Sequence, residues 1–200
     1  MTETEQTPAA STPRAYFDEM YRQPDPWGFE SEWYERRKYA ITLACLPRQR
    51  YRRGFEPGCA NGVLTESLSE RCAELVAFEL HPGAAERARR RLGDQPHVEV
   101  QEREIPGDWP TGTFDLVVLS EIAYYFDDER HTELERRVGE SLQPGGDLVL
   151  VHWTGPTDYP RTGDQVHDRW ARSDDLQPLA AHRDEGFRLD VLRRRGGGSR

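Results

Sequence analysis

EPGCANG, residues 56–62, follows a predicted strand over residues 52–56 and opens a helical stretch that runs to about Arg71. Gly58 and Gly62 allow a tight turn and let the backbone approach a ligand closely. The first backbone N–H groups of the following helix have no partner within that helix, so they can bind an anionic or polar group. This strand, loop and helix therefore predict a ligand site at the carboxyl end of the first strand.

An acidic residue ends the next predicted strand. LVAFE, residues 75–79, is a short apolar run that closes on Glu79. An acid about 20 residues beyond a glycine loop can accept hydrogen bonds from both hydroxyls of a ribose. The loop lacks the middle glycine of G-x-G-x-x-G, and the chain contains no Gly-Lys-Ser/Thr sequence. A ribose-containing ligand is therefore expected, without the usual pyrophosphate fingerprint.

Apolar runs alternate with helical stretches along the rest of the chain. FDLVVLS, residues 114–120, is the clearest buried strand, and residues 127–142 have the spacing of an amphipathic helix. Alternating stretches at 176–182 and 187–193 indicate a hairpin. Strands that alternate with helices predict a parallel sheet covered on both faces, whose ligands bind at the carboxyl ends of the strands.

The composition bounds the class of protein. The chain has 200 residues, with 36 acids, 27 bases and a net charge of −9, which argues against nonspecific nucleic-acid binding. It contains no run of 18 apolar residues and no secretory signal, so we expect a cytoplasmic protein without a membrane span. The 3 cysteines show no pattern that predicts a disulfide framework or a metal site. Lys38 is the only lysine, and we expect no function from this arginine bias, which is typical of a GC-rich genome.

Both ends of the chain lack periodicity. We predict a disordered N-terminus over residues 1–13 and a disordered tail over residues 196–200. Between them, residues 14–195 are predicted to form a single domain, in which residues 14–47 are an N-terminal helical cap.

The glycine loop, Glu79 and the LQPGG turn at residues 142–146 jointly resemble those of class I S-adenosylmethionine (SAM)-dependent methyltransferases. The resemblance implies an α/β, Rossmann-like class I methyltransferase fold. Such a fold has a seven-stranded, mostly parallel sheet with an antiparallel last strand. The resemblance also implies SAM as the methyl donor and S-adenosyl-L-homocysteine as its product. It implies an acid after the third strand that contacts the adenine amine, for which Glu104 is the match and Glu102 the alternative.

Segments outside this core narrow the resemblance. PDPW at 24–27, WYERRK at 33–38, SEIAYY at 120–125 and the segment 152–167 resemble those of the nodulation protein S (NodS-like) methyltransferases. Those enzymes N-methylate the free amine of a deacetylated glucosamine residue in a chitooligosaccharide. The resemblance therefore implies N-methylation of the amine of a small polar acceptor, such as a deacetylated amino sugar or saccharide. It implies a monomer or homodimer.

The predicted site residues form three groups. Glu121 and His152, after the fourth and fifth strands, are the predicted catalytic residues, and the ordinary pKa of a histidine, ~6.5, suits a base. The predicted cofactor-binding residues are Glu56, Gly58, Cys59, Ala60, Asn61, Gly62, Glu79, Leu80, Glu104, Ile105, Ser120, Trp33 and Arg37. Arg37 is expected to pair with the methionine carboxylate of SAM. The predicted substrate-binding residues are Tyr124, Tyr125, Trp153 and His167.

Several alternatives stay open at this point. The reaction can instead be O-methylation, although an ordinary alcohol asks for a stronger base or a metal ion. A SAM-binding protein without catalysis is a second alternative. A nicotinamide-dependent oxidoreductase is disfavoured by the missing glycine and by the absence of a Tyr-x-x-x-Lys pair. Cys59 is either a nucleophile or a small packing residue, and His152, Trp33 and Arg37 each have a purely structural alternative.

Overall fold

The computed structural model describes residues 10–196. Within these residues the chain forms six α-helices: α1 (Arg14–Met20), α2 (Trp33–Cys45), α3 (Val63–Ser69), α4 (Pro82–Leu92), α5 (Asp128–Ser141) and α6 (Gly163–Trp170). The same part of the chain forms seven strands: β1 (Tyr51–Pro57), β2 (Cys72–Glu79), β3 (Val98–Glu102), β4 (Phe114–Ser120), β5 (Leu142–Trp153), β6 (Leu176–Arg183) and β7 (Phe187–Arg194). A short 3-10 helix over Ala123–Tyr125 lies between β4 and α5. No helix within residues 10–196 has the length and apolarity that crossing a bilayer requires.

The strands form one sheet in the order β3-β2-β1-β4-β5-β7-β6. Strands β1 to β5 pair in parallel, and β7 lies antiparallel between β5 and β6. The predicted seven-stranded, mostly parallel Rossmann-like fold with an antiparallel last strand is therefore confirmed. The strand order reverses between β1 and β4, so a crevice forms outside their carboxyl ends.

Helices cover both faces of the sheet, as the continuous apolar run of β4 predicts. Val117 and Leu119 pack into the core on one face, to which α5 and α6 contribute. Leu116 and Val118 pack into the core on the other face, to which α2 and α3 contribute. Because successive side chains of a strand point to opposite faces, β4 supplies both cores and lies in the middle of the domain.

The loop after β1 determines where α3 begins. Gly62 directly precedes α3 and has a φ of +81°. A Cβ atom on Gly62 would lie 3.0 Å from the Cα of Ala88 in α4. The left-handed backbone and the close approach of α4 both require a glycine at this position.

The N-terminal segment is more ordered than its composition predicts. Residues 1–9 and 197–200 lie outside the described part of the chain. The N–H of Thr12 donates a hydrogen bond to the carbonyl oxygen of Tyr125 at 2.8 Å. The N–H of Asp127 donates to Ser11 Oγ at 2.9 Å. The predicted disorder therefore does not extend to residues 10–13, because partners distant in sequence satisfy this short polar stretch.

We predict that Gly62→Ala lowers the free energy of unfolding by about 1–2 kcal/mol, since a Cβ disfavours the left-handed conformation and meets α4. Urea unfolding measures this change. Gly139 in α5 is the matched control, because a Cβ there meets nothing within 4 Å. Gly139→Ala should raise stability by up to about 1 kcal/mol through helix propensity. Equal stability of Gly62→Ala and the wild type would contradict the account of this turn.

Candidate functional site

A cavity of about 500 Å³ lies at the carboxyl ends of β1, β2 and β4, where the strand order reverses. The glycine loop, the end of β2 and the loop after β4 form much of its wall, and residues of α1, α2 and their connection contribute the rest. Small-molecule sites typically measure roughly 300–1,000 Å³. The cavity is therefore the candidate ligand site of the molecule.

Glu79 is fixed against the glycine loop. Its Oε2 accepts a hydrogen bond from the N–H of Ala60, and its Oε1 accepts one from the N–H of His81, both at 2.9 Å. Burial raises the pKa of Glu79, while these backbone donors favour its charged form. Glu79 and Leu80 both line the cavity. A carboxylate held in this way can accept further hydrogen bonds from a pair of hydroxyl groups.

The glycine loop lines the cavity from Gly58 to Asn61. Gly58 has a φ of +73°, and a Cβ there would lie 2.6 Å from Cδ1 of Ile122. Ala60 also has a positive φ, 51°. The side-chain amide of Asn61 donates to Glu30 at 3.1 Å, which ties the loop to the segment before α2. The turn therefore depends on the glycine at position 58 and is braced by Asn61.

Glu56 and Cys59 line the cavity next to this loop and are almost fully buried. Burial raises the pKa of Glu56 to about 7, and its Oε2 has no hydrogen-bond partner among residues 10–196. Burial also raises the pKa of the Cys59 thiol well above its usual value. A buried thiol that stays protonated is a poor nucleophile. The geometry therefore favours the packing alternative for Cys59.

The acid that follows β3 lies at an open part of the cavity wall. The Glu104 side chain is 48% exposed, and its Oε1 pairs with Arg130 Nη2 at 2.7 Å. Glu104 and the buried Ile105 both line the cavity, whereas Glu102 does not. The placement favours Glu104 over Glu102 as an acid that contacts a ligand.

Four aromatic side chains form an aromatic wall in this cavity: Phe17, Tyr124, Tyr125 and Tyr159. Tyr124 stacks on Tyr159 with ring centroids 5.0 Å apart, and Phe17 meets Tyr125 edge-on at 4.9 Å. Trp153, at the end of β5, also lines the cavity. The structure thus brings together three of the predicted substrate-binding residues. Phe17 and Tyr159 were not among the predicted site residues, although Tyr159 lies in the segment 152–167 that carries the NodS-like resemblance.

Glu121 follows Ser120 at the end of β4 and has a left-handed backbone, with a φ of +54°. Its Oε1 accepts a hydrogen bond from Lys38 Nζ at 2.7 Å. Its Oε2 accepts hydrogen bonds from the Tyr124 hydroxyl at 2.6 Å and from the N–H of Trp153 at 3.0 Å. Positive φ at a non-glycine residue is uncommon, and such strained conformations cluster at active sites and ligand clamps. Ser120 and Glu121 both line the cavity, where three donors fix this carboxylate.

Lys38 of α2 is a further residue of this region that sequence reasoning missed. Its side chain is 2% exposed, and Nζ donates to Glu35 at 2.9 Å and to Glu121 at 2.7 Å. Burial alone would lower the pKa of Lys38, but the carboxylates of Glu121 and Glu35 raise it above its usual value, so the ammonium stays charged. The sequence did contain a signal. Lys38 is the only lysine, and its spacing from Glu35 puts both on one face of a helix.

Three predicted cofactor-binding residues do not line the cavity. Trp33, the first residue of α2, is 69% exposed. Arg37 pairs with Asp184 in the turn between β6 and β7, so its guanidinium is already engaged. Gly62 packs against α4 instead. Trp33 and Arg37 lie on the same helix as Lys38 but point in other directions, because side chains of a helix repeat every 3.6 residues. The rotation of α2 that brings Lys38 to the cavity therefore directs Trp33 and Arg37 away from it.

His152 and His167 lie in the protein interior, which corrects their predicted place in the site. Both rings are fully buried and neither lines the cavity. The N–H of Ala123 donates to His152 Nε2 at 3.2 Å, so that nitrogen carries no proton, and Nδ1 must donate to His167 Nε2 at 3.2 Å. His167 Nδ1 then donates to Asp190 at 2.7 Å. Since both nitrogens of His152 are engaged, we assign it a structural role in holding the 3-10 helix after β4.

Comparisons with known proteins point to one family. The family model described as nodulation protein S (NodS) matches residues 15–154. A nodulation protein S of Rhizobium tropici is 33% identical over 130 residues, which make up 63% of this chain and 54% of that protein. The chain therefore spans about half the length of this curated relative.

Two solved structures share the fold. A Pseudomonas syringae protein that was assigned as a methyltransferase is 43% identical, with a TM-score of 0.73 over 82% of this chain and 100% of that one. The N-methyltransferase NodS of Bradyrhizobium japonicum WM9, solved in complex with S-adenosyl-L-homocysteine, is 23% identical. Its TM-score is 0.81 over 90% of this chain and 97% of that one. At that identity the second likeness shows the fold alone.

The buried histidine predicts a pH dependence of stability. Burial lowers the pKa of His152 well below its usual value, whereas in the unfolded chain the ring should titrate near pH ~6.5. Below that pH the unfolded state binds a proton that the native state does not, so stability falls by up to about 1.4 kcal/mol per pH unit. We expect His152→Gln to be less stable than the wild type at neutral pH but to lose stability less steeply on acidification.

Urea unfolding across this pH range measures both effects. His97→Gln is the control, because it removes an imidazole that is only partly buried. An acid slope in His152→Gln as steep as that of the wild type would contradict a neutral, buried His152.

Proposed function

The chain belongs to the nodulation protein S (NodS) family, and on this premise we propose that it transfers a methyl group from SAM to the amine of a small polar acceptor. The main support for the proposal is that a single cavity runs from the glycine loop, anchored by Glu79, to the Glu121 carboxylate and the aromatic wall. A donor and an acceptor can therefore meet in one partly enclosed space, where positioning supplies most of the catalysis.

The residues around the glycine loop fit SAM. When bound, SAM supplies an electrophilic methyl group on a sulfonium. The Glu79 carboxylate, oriented by two backbone N–H groups, suits the hydroxyls of a ribose. The tight turn depends on glycine at position 58, where a Cβ would collide with Ile122, and it places the backbone of residues 58–61 along the cavity wall. We assign Leu80 and Ile105 to the adenine ring and Glu104 to the adenine amine.

Glu121 is better suited to hold an amine than to activate a hydroxyl. A carboxylate offers about four lone-pair positions, and three donors already occupy those of Glu121. One position is left to accept an N–H of the acceptor. An alcohol needs a strong base to remove its proton, and this carboxylate is already committed to its donors. The arrangement favours N-methylation over the O-methylation alternative.

The aromatic wall is suited to bind an acceptor in which the amine is attached to a polar ring. Faces of tyrosine and phenylalanine attract an ammonium group, and they keep water from the reacting atoms. A deacetylated amino sugar or a saccharide that contains one combines a ring with a primary amine. We propose this class as the acceptor, and membership of the NodS family supports it.

We predict that Glu79→Gln weakens binding of S-adenosyl-L-homocysteine roughly tenfold or more, since hydrogen bonds to a charged group are the strong ones. A ligand that binds only the native state raises the unfolding free energy by about 2.7 kcal/mol at a concentration 100 times its Kd. At a fixed product concentration, the wild type should gain stability and Glu79→Gln much less. The exposed Glu102→Gln is the control and should behave as the wild type. An equal gain in Glu79→Gln would refute the ribose assignment.

We predict methyl transfer from labelled SAM to a chitooligosaccharide with one free amine, and none to its fully N-acetylated counterpart. Glu121→Gln should lower kcat/KM for this acceptor about a hundredfold, because it removes the charge that holds the amine, while affinity for S-adenosyl-L-homocysteine stays near that of the wild type. Transfer to hydroxyl-only acceptors would favour O-methylation. Product binding with no transfer to any amine tested would favour a SAM-binding protein without catalysis.

A further inference from the structure

A buried charge cluster lies beside the aromatic wall: Glu35 and Lys38 of α2 and Glu121 after β4. The Lys38 ammonium contacts one oxygen of each carboxylate, at 2.9 Å from Glu35 and 2.7 Å from Glu121. All three residues line the cavity. With both carboxylates ionised, two negative charges share one positive charge. Buried charge is costly unless it is paired, so this cluster favours a cation in the adjoining cavity.

Glu35 is the member of the cluster that has one carboxylate oxygen without a hydrogen-bond partner. It is 5% exposed, and its Oε2 has no hydrogen-bond partner among residues 10–196. Burial raises the pKa of Glu35, and the ammonium of Lys38 and the nearby hydroxyl of Tyr39 oppose that rise. A buried acceptor atom without a donor in hydrogen-bond geometry has lost its hydration with little in exchange. A ligand N–H group in the cavity would supply the missing donor.

The groups that face Glu35 come from two elements. The ammonium of Lys38 and the hydroxyls of Tyr34 and Tyr39 lie on α2, and the Glu121 carboxylate lies after β4. Lys38 is the one cation among these facing groups, and two carboxylates already share its nitrogen. With both carboxylates ionised, the cluster carries an excess of one negative charge that its own members do not neutralise.

The choice of lysine at position 38 fits this geometry. Every other base of the chain is an arginine. An ammonium is a compact point charge whose three N–H donors diverge from one atom, whereas a guanidinium is a planar fork that matches one carboxylate at a time. At position 38 a single nitrogen lies between two carboxylates with little space around it. A guanidinium does not fit this arrangement, so arginine cannot substitute for lysine here.

We propose that this cluster is the binding site for the acceptor amine in its ammonium form, with Glu35 as a second receiving carboxylate and Lys38 as the positioning residue that fixes both. The proposal rests on the proposed function and narrows the acceptor to an amine that arrives as a cation. Glu35 Oε2 then takes the proton that the nitrogen must lose before methylation. The N–H bond breaks, its electron pair stays on nitrogen, and an O–H bond forms on Glu35.

Sinefungin tests this site without knowledge of the acceptor. It keeps the nucleoside and amino-acid parts of S-adenosyl-L-homocysteine but carries a charged amine at the place of the transferable methyl group. We expect calorimetry to show that the wild type binds sinefungin roughly tenfold or more tightly than S-adenosyl-L-homocysteine, through hydrogen bonds to charged carboxylates. If the cluster had only a structural role, a substitution in it would change the affinities for sinefungin and for S-adenosyl-L-homocysteine by the same factor.

Matched variants assign the preference to individual residues. Glu35→Gln should bring the two affinities close together and leave that for S-adenosyl-L-homocysteine unchanged. Glu32→Gln, at an exposed carboxylate just before α2, should keep the preference. Lys38→Arg should reduce the preference, whereas Arg36→Lys on the exposed face should keep it. In the transfer assay, the Glu35→Gln variant cannot take a proton from the bound ammonium, so it should methylate only acceptor that binds as the free amine. Its pH profile of kcat/KM should therefore shift to higher pH than that of the wild type.

The outcomes separate this inference from the proposed function. No binding of S-adenosyl-L-homocysteine to the wild type would overturn the proposed function itself. Product binding without a preference for sinefungin, or a preference that survives in Glu35→Gln, would overturn the ammonium site alone. An unchanged pH profile of Glu35→Gln would overturn its role as proton acceptor.

A measurement on the wild type covers the case in which Glu35→Gln does not fold. The preference for sinefungin should fall as the pH drops through the raised pKa of Glu35, because a protonated carboxyl has no charge to offer a cation. A preference that stays constant down to the ordinary carboxyl pKa of about 4.3 would overturn the proposal.

Discussion

The contact between the Glu79 carboxylate and the backbone of the glycine loop is the constraint on which the site depends. It joins the end of β2 to the turn after β1, at the edge where the strand order reverses. The positive φ of Gly58 turns the chain sharply out of the sheet, and α3 starts at once. Burial destabilises the ionised form of this carboxylate, and hydrogen bonds from two backbone N–H groups offset that cost. A polar, oriented acceptor therefore persists at the wall of the crevice.

A second constraint comes from α2, which closes the cavity and supplies part of its chemistry. Lys38 crosses from this helix to the carboxylate after β4, and both its partners are acidic. The helical cap is thereby held to the domain by a buried ion pair instead of apolar contacts alone. Removal of Lys38 would leave both carboxylates without their shared cation. Under the proposed function, closure of the cavity and placement of the acceptor depend on the same few side chains.

The fold, and the meeting of the glycine loop with Glu79 in one cavity, could be predicted from the sequence, because both follow from local patterns. Parallel β-α units put strand ends on one edge, so a glycine loop and Glu79 must lie near each other. The acceptor end could not be predicted in this way. The rotation of α2 about its axis is set by packing, and this decided that Lys38, and not Arg37, reaches the cavity. His152 has a suitable residue type, but successive strand residues alternate, so Trp153 lines the cavity while His152 points into the core.

The central claim is that the cavity holds a SAM-type ligand at the glycine loop. Calorimetric titration of the full chain with S-adenosyl-L-homocysteine, beside a parallel titration with NAD, tests it most directly. The account predicts saturable binding of S-adenosyl-L-homocysteine and no binding of NAD. Binding of NAD, or no binding of S-adenosyl-L-homocysteine, would contradict the assignment of the loop and of every residue placed in relation to it.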